Sequence, residues 1–195
     1  MEQQPATTIL TRNPVRRVNK AFYLWSYIGG IIAVLVLSVI VFIPIVFMGM
    51  SKGSSHMWSA IASVIGIAVV LVAAIIYVVV IYCVLTYKAW QAIQDGHART
   101  TPGKAVGFQF IPFFNLYWIF QAYWGYAKDY NAYLTRYNLT SKKLSEGLFL
   151  ANCILSVASA VPYLNSLTSL GVMVLDGIII SELCDGINNL AENKT

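Results

Sequence analysis

Two long apolar segments near the amino terminus constrain the fold more than any other feature of the chain. Residues 27–50 and 57–87 are almost uninterrupted runs of apolar side chains, the second rich in valine and isoleucine. A helix needs about 20 mainly apolar residues to cross the hydrocarbon core of a bilayer. The apolar region of a signal peptide has only about 7–15 residues. Both segments are longer than that, so they predict two retained transmembrane helices.

The composition indicates an integral membrane protein of the all-α class. Only 11% of the 195 residues are charged and 58% are hydrophobic, whereas soluble domains carry about 25% charged residues. Two further apolar segments, residues 147–163 and 167–184, predict a third and a fourth span, and residues 185–195 form a polar tail. The whole chain, 1–195, is interpreted as one transmembrane domain.

The segment 105–127 is the hardest part of the chain to place. It is long enough to span a bilayer, but Pro112 interrupts it and the amides of Asn115 and Gln121 lie within it. Irregular backbone at membrane depth is tolerated only where it is covered by protein or lines a wet cavity. These features favour a re-entrant or interfacial aromatic helix over residues 105–137, with a fifth transmembrane helix as the alternative.

The distribution of Lys and Arg favours the same topology. If residues 105–127 cross the membrane, the basic residues of 128–147 lie outside. If they do not cross, all Lys and Arg except Lys52 lie on the same side as residues 1–20. Short cytoplasmic loops are enriched in Lys and Arg. The sequence therefore predicts four spans with a cytoplasmic amino-terminal segment.

A stripe of tyrosines follows Pro112 at helical spacing. The tyrosines recur every three or four residues from 123 to 137 and therefore share one face of a helix. A tyrosine ring favours burial while its hydroxyl favours water, which suits an interface. With two nearby cations, the stripe predicts a surface for a protein partner or anionic lipid. Its residues are Tyr123, Tyr126, Tyr130, Tyr133, Tyr137, Lys128 and Arg136.

Asp176 is the most informative polar residue, because it lies near the middle of the fourth expected span. A carboxylate there costs at least about 2.5–3.5 kcal/mol on insertion scales. It is either a proton or ion site, or a hydrogen-bonded residue that fixes helix packing through Ser156, Ser159 or Asn152. The residues of the possible intramembrane polar site are Asp176, Asn115 and Gln121.

The remaining reactive side chains do not predict a catalytic or metal site. His56 and His97 lie on opposite sides of the membrane in either topology, whereas catalytic zinc needs three converging protein ligands. Cys83, Cys153 and Cys184 lie in apolar runs without C-x-x-C spacing, as buried thiols do. The net charge of +5 is explained by basic residues flanking the spans and attracting anionic headgroups. No catalytic residue, cofactor, metal or nucleic-acid partner is predicted.

Three neighbouring motifs resemble those of a known group of proteins. They are R-T-T-P-G-K-A-V-G-F at 99–108, I-P-F-F-N-L-Y-W at 111–118 and W-G-Y-A-K-D-Y-N at 124–131. Together they resemble an uncharacterised family of small bacterial integral membrane proteins. The resemblance implies the bacterial cytoplasmic (inner) membrane. The family has no established activity, so no functional residue follows from it.

These observations favour a non-catalytic multi-pass membrane protein that acts through protein or lipid interactions, as an accessory or assembly subunit. The expected partners are anionic lipid headgroups and either another protein or further copies of the chain. The alternative is an oligomeric small transporter or channel subunit that uses Asp176. A membrane enzyme ranks third, because Asp95, His97 and Asp129 would have to meet at the cytoplasmic surface.

Overall fold

The computed structural model describes residues 15–50 and 57–193, and the regular structure in these ranges is entirely helical. The all-α prediction is therefore confirmed for this part of the chain. Most of residues 1–20, together with Lys52 and His56, lie outside the described ranges. The helices are α1 (Lys20–Met50), α2 (Met57–Ala92), α3 (Pro102–Gly107), α4 (Phe114–Ile119), α5 (Gly125–Arg136), α6 (Glu146–Ala158) and α7 (Pro162–Glu192).

Two short irregular helical turns connect the middle of the chain. A 3₁₀ turn, Phe108–Phe110, follows α3, and a π-helical turn, Phe120–Trp124, joins α4 to α5. The chain is thus helical without a break from α4 to α5, in agreement with the helix expected after Pro112. π-helical turns are rare and often occur at functional sites.

Within residues 15–50 and 57–193, three helices are long and apolar enough to cross a membrane, judged by length and composition. Their apolar parts are Lys20–Ile43, Val64–Ala92 and Leu167–Glu192, with 24, 29 and 26 residues. The third expected span is different, because α6 has only 13 residues. At 1.5 Å per residue, α6 is about 20 Å long, whereas the hydrocarbon core is about 30 Å thick. Pro162 opens the next helix at a position where its missing N–H is tolerated.

The described residues form two compact units. The first, Phe22–Tyr82, contains most of α1 and α2, and we call it the two-helix unit. The described residues before and after it form the second, which we call the core unit. Each unit has its own pattern of contacts.

Close packing at a glycine joins the two helices of the two-helix unit. A Cβ atom at Gly30 would overlap the Cγ2 methyl of Val78, whereas a Cβ at Gly29 would meet nothing within 4 Å. Small residues let helix backbones approach closely where water does not drive association. The Tyr77 hydroxyl also donates a hydrogen bond to Ser26 Oγ at 3.1 Å. Large aliphatic and aromatic side chains cover much of the outside, as expected for a lipid-facing pair.

The centre of the core unit is built on Trp90 and the tyrosines of α5. Trp90 is fully buried, its Nε1 donates to the Ala122 carbonyl at 3.0 Å, and its ring meets Tyr126 edge-on at 5.4 Å. Phe149 of α6 and several side chains of α7 close this core. Those α7 residues are Ile179, Ile180, Leu183, Ile187 and Leu190.

Side-chain amides tie two irregular segments of the core unit to helices. Asn188 of α7 accepts from the Val18 N–H at 2.8 Å and donates to the Val18 carbonyl at 3.0 Å. Asn131 of α5 likewise donates to the Leu144 carbonyl at 3.0 Å and accepts from its N–H at 2.9 Å. Each amide satisfies both backbone groups of one residue, and Val18 and Leu144 are buried. The segments before α1 and α6 are therefore held in place.

Candidate functional site

Asp176 has a defined hydrogen-bond partner on the neighbouring helix. The Nδ2 of Asn152 in α6 donates to Asp176 Oδ1 at 2.9 Å. Asn152 is only 3% exposed, so its amide is positioned by packing. Ser159, another partner considered from the sequence, donates to the carbonyl of Ser156 at 2.7 Å. This geometry corresponds to the helix-packing interpretation of Asp176.

Gln121 lies in a different hydrogen-bonded group from Asp176. Its Nε2 donates to the Tyr117 hydroxyl at 3.0 Å, and its Oε1 accepts from Arg99 Nη1 at 3.4 Å. Asn115, in α4, is half-buried, and its backbone N–H donates to the Ile111 carbonyl at 3.0 Å. The three residues expected to form one polar path thus lie in separate local arrangements.

An ion pair between Arg99 and Asp129 connects the first and third sequence motifs. The Arg99 backbone N–H donates to Asp129 Oδ2 at 2.9 Å, and Nε and Nη2 donate to Oδ1 at 3.0 and 2.7 Å. A Cβ at Gly125 would lie 3.0 Å from Arg99 Cδ, so glycine leaves room for this side chain. Trp118 of the second motif donates through Nε1 to the Ala105 carbonyl of the first at 3.2 Å. The motifs thus form one structural junction.

Asp95 and Arg136 form a second internal pair. The Asp95 side chain is 1% exposed; it binds Arg136 and accepts from the His97 backbone N–H at 2.8 Å. Asp95, His97 and Asp129 do line one cavity, but its volume is only about 20 Å³. That is the space of about one water molecule, and both carboxylates already pair with arginines.

The tyrosine stripe follows one helical face, but that face is directed into the core. Tyr123, Tyr126, Tyr130 and Tyr133 are between 0% and 5% exposed, which corrects the expectation of an exposed surface. The close approach is possible because α7 has a glycine there: a Cβ at Gly186 would lie 3.2 Å from the Tyr130 ring. Helical periodicity predicts that one face of a helix is buried. It does not show whether that face packs against the same chain or against a partner.

Burial also changes the acidity of these tyrosines. The Tyr130 hydroxyl donates to the Gly186 carbonyl at 3.3 Å, and burial raises its pKa to about 12. Burial also raises the pKa of Tyr133. Water is excluded from these hydroxyls, so their phenolate forms are disfavoured.

The two cations of the predicted surface are engaged within the chain. Lys128 Nζ lies 3.3 Å from the centroid of the Trp124 ring, a cation–π contact. Arg136 is paired with Asp95. Both cations are thus engaged within the chain, and Arg136 lies beside Tyr137 of the stripe, whose hydroxyl donates to Asp95 Oδ2 at 3.4 Å.

Several exposed aromatic side chains lie just before the stripe, in residues 108–118, which we call the aromatic segment. Phe110 is 64% exposed, Phe113 88% and Tyr117 57%. Other aromatic rings hold the segment from inside: Phe108 meets Trp118 edge-on at 4.8 Å. Phe113 has a φ of +61°, which is unusual for a bulky residue. The aromatic content was visible in the sequence, but the outward-facing rings follow from this backbone conformation.

Within the described residues, no group of three or more His, Cys, Asp or Glu side chains is arranged to hold a metal ion. No protein-family model matches the chain, and no match was found among curated proteins or solved structures. The family resemblance of the three motifs therefore stays an expectation.

Proposed function

We propose that this chain is a non-catalytic multi-pass membrane protein that acts by binding other molecules through its aromatic segment, as an accessory or assembly subunit. The supporting observation is the group of large exposed aromatic side chains on that segment, Phe110, Phe113 and Tyr117. Aromatic residues contribute much of the binding energy at protein interfaces, and exposed apolar patches mark interaction sites.

The way the segment is anchored supports this proposal. Its inner rings, Phe108, Phe114 and Trp118, contact one another, with Phe114 stacked on Trp118 at 5.6 Å. Gln109 donates to the Ala105 carbonyl at 2.9 Å and accepts from the Tyr123 hydroxyl at 3.1 Å. These contacts tie part of the segment to α3 and to Tyr123. A preorganised surface loses less conformational entropy on binding.

In the topology we propose, the chain crosses the bacterial inner membrane four times, with a cytoplasmic amino terminus and an interfacial or re-entrant aromatic segment. The short α6 supplies the third crossing together with the turn at 159–161. α6 packs antiparallel to α7, since Asn152 meets Asp176 and a Cβ at Gly171 would lie 3.4 Å from Leu155. Local thinning of the bilayer accommodates a short hydrophobic element at modest cost.

The alternative function, an oligomeric transporter or channel subunit, depends on Asp176 being a proton or ion site. Its hydrogen bond to Asn152 favours a role in packing instead. Ion or proton flux in reconstituted vesicles separates the two proposals. Flux that is present in the unaltered chain and lost in Asp176→Asn would replace our proposal by the transporter.

A photo-cross-linking experiment tests the binding role directly. The photoreactive residue p-benzoylphenylalanine replaces Phe113 in one variant and Tyr163 in a matched control. The two native side chains are 88% and 92% exposed, so they differ in location more than in accessibility. After irradiation of intact cells, we expect a discrete cross-linked protein band from position 113 and none from position 163.

The nature of the adduct distinguishes the outcomes. A band of twice the chain's mass identifies a second copy, and another defined mass identifies a different subunit; either supports the proposal. The same lipid adducts at both positions, without a protein band, would overturn it.

A further inference from the structure

We propose that a basic cavity in the core unit binds a phosphate group, carried by an anionic phospholipid headgroup or by a soluble phosphate ester. The volume of this basic cavity is about 480 Å³. Its polar lining consists of Arg16, Arg17, Lys88 and Gln91, and Ala92 and Ile187 add apolar surface. The inference goes beyond the proposed function and does not involve the aromatic segment, so the two can fail separately.

The charges of the lining select an anion. The described lining contains three cations and no carboxylate. Of the nearby carboxylates of α7, Asp185 pairs with Lys20 at 2.7 Å, away from the lining, whereas Glu192 pairs with the lining residue Arg17 at 3.3 Å. The side chains of Arg17 and Glu192 are 66% and 57% exposed, and such surface pairs contribute little stability. A phosphate can therefore compete for the Arg17 guanidinium.

The basic cavity is preorganised by the contacts of the segment before α1. Asn188 binds both backbone groups of Val18, and Lys20 binds both carboxylate oxygens of Asp185 at 2.9 and 2.7 Å. Arg16 and Arg17 immediately precede these fixed residues. Lys88 and Gln91 lie one turn apart on α2. The donors of the basic cavity therefore come from two parts of the chain, the segment before α1 and α2. Arginine donors form paired hydrogen bonds that match phosphate oxygens.

The position of these cations along the chain suits a lipid headgroup. Arg16 and Arg17 lie just before the apolar window Lys20–Ile43, and Lys88 lies near the end of the window Val64–Ala92. Basic residues at the ends of spans are at the depth of lipid phosphates, where anionic headgroups attract them. The volume falls within the range of small-molecule sites, about 300–1,000 Å³, and is large enough for a headgroup.

The test uses the full-length protein in mild detergent and measures binding by native mass spectrometry. The probes are short-chain phosphatidylglycerol, short-chain phosphatidylcholine, glycerol 3-phosphate and inorganic phosphate. Arg16→Gln with Lys88→Gln removes two lining charges. The control, Lys104→Gln with Lys143→Gln, removes two exposed cations that do not line the basic cavity. Gln91→Glu, at an exposed lining position, adds a negative charge as a second test.

We expect phosphatidylglycerol or a soluble phosphate to bind more tightly than phosphatidylcholine. Loss of two charge-assisted contacts should weaken that binding about tenfold or more in the Arg16 and Lys88 double variant, and Gln91→Glu should weaken it in the same direction. The control should change binding less than about twofold, as expected for exposed charges. Preference for the lipid over glycerol 3-phosphate identifies a headgroup site, and the reverse identifies a soluble ligand. Equal loss in the control, or unchanged binding in both cavity variants, would overturn the proposal.

Discussion

The two-helix unit and the core unit are stabilised in different ways. In the two-helix unit, many large apolar side chains point outward: Val39 is 60% exposed and Phe42 64%. Its helices meet through close packing at Gly30 and through the bond between Ser26 and Tyr77. In the core unit, large rings such as Trp90 and Tyr130 are fully buried, and ion pairs and side-chain amides hold the irregular segments.

This difference determines how each unit should respond to substitution. A lipid solvent gives little driving force for apolar helices to associate, so shape complementarity and a few polar contacts must hold them together. Burial of aromatic rings such as Trp90 and Tyr130 stabilises the core unit, because a large apolar area is removed from water. Substitutions in the two-helix unit should therefore change stability through the fit between its helices. Substitutions in the core unit should act through lost burial or through polar groups that lose their hydrogen-bond partners.

Tyr130→Ala should have the largest effect on the core unit. Removing a fully buried aromatic side chain leaves a cavity beside Gly186, and such changes typically cost about 3–5 kcal/mol. Thermal unfolding in mild detergent measures the loss, and hydrogen exchange locates it in α5 and α7. Tyr117→Ala is the matched control, because Tyr117 is 57% exposed. Equal destabilisation by both variants would contradict the assignment of Tyr130 to the core.

Asp129→Ala should have the next largest effect, because Arg99 loses its carboxylate partner. Hydrogen bonds to charged groups contribute about 1.5–3 kcal/mol, and a loss within this range is expected in chemical unfolding of the purified protein. Gly125→Ala should act on the same junction, since its new methyl group meets Arg99. Gly103→Ala is its control, with nothing within 4 Å of the new Cβ. If Gly125→Ala and Gly103→Ala lowered the stability by similar amounts, a clash between the new methyl group and Arg99 could not explain the loss.

Gly30→Ala tests packing shape in the two-helix unit. The added methyl group overlaps Val78, and overpacking of this kind costs about 1–3 kcal/mol. Gly29→Ala adds the same methyl group where nothing lies within 4 Å, so it should be neutral or slightly stabilising, since alanine favours a helix. Unfolding in mixed micelles with increasing dodecyl sulfate compares the two variants. Identical midpoints would mean that α1 and α2 do not meet at Gly30.

Alkaline pH should weaken the core unit. The pKa of Tyr130 is about 12 in the folded chain and about 10 in an unfolded chain. A raised pKa means that the stability contribution is complete below about pH 10 and is lost as the pH rises through 12. Melting in detergent should therefore be constant from pH 7 to 9 and fall above about pH 10. Tyr130→Phe should reduce the slope, and an unchanged slope would show that Tyr130 ionisation does not cause the loss.

Lys142→Gln should have the smallest effect. Lys142 pairs with Glu182 at 2.9 Å, but its side chain is 75% exposed. Exposed pairs contribute little to stability because water and salt screen them. The unfolding midpoint should shift only slightly, and less in high salt. A loss as large as that of Asp129→Ala would show that exposure does not separate the two pairs.

The sequence predicted the long apolar helices and the all-helical class correctly, because both depend on local patterns. Local patterns could not predict which face of α5 is exposed. The spacing of Tyr126 and Tyr130 defines a face, but the space left by Gly186 on α7 brings that face into the core. The contacts of Lys128 and Arg136 could not be predicted either. The cation–π contact of Lys128 and the ion pair of Arg136 with buried Asp95 both depend on the folded conformation.

Local sequence patterns also could not predict the length of α6 or the partners of the side-chain amides of Asn131 and Asn188. An apolar run from 147 to 163 suggested a full span, but the helix ends at Ala158 and Pro162 starts the next one. Asn188 and Val18 are 170 residues apart in the chain, and Asn131 and Leu144 are 13 apart. No periodicity relates such pairs, although asparagine is well suited to satisfying one donor and one acceptor.

What the sequence determined by itself is the solvent that each helix prefers, because hydropathy and length are properties of a continuous segment. What only the tertiary structure decided is which polar groups meet. Asp176 with Asn152, Arg99 with Asp129, and the cations of the basic cavity come together through packing of distant segments. The physical reason is that apolar burial is non-directional and summed along the chain, whereas hydrogen bonds and ion pairs require atoms at defined distances and angles.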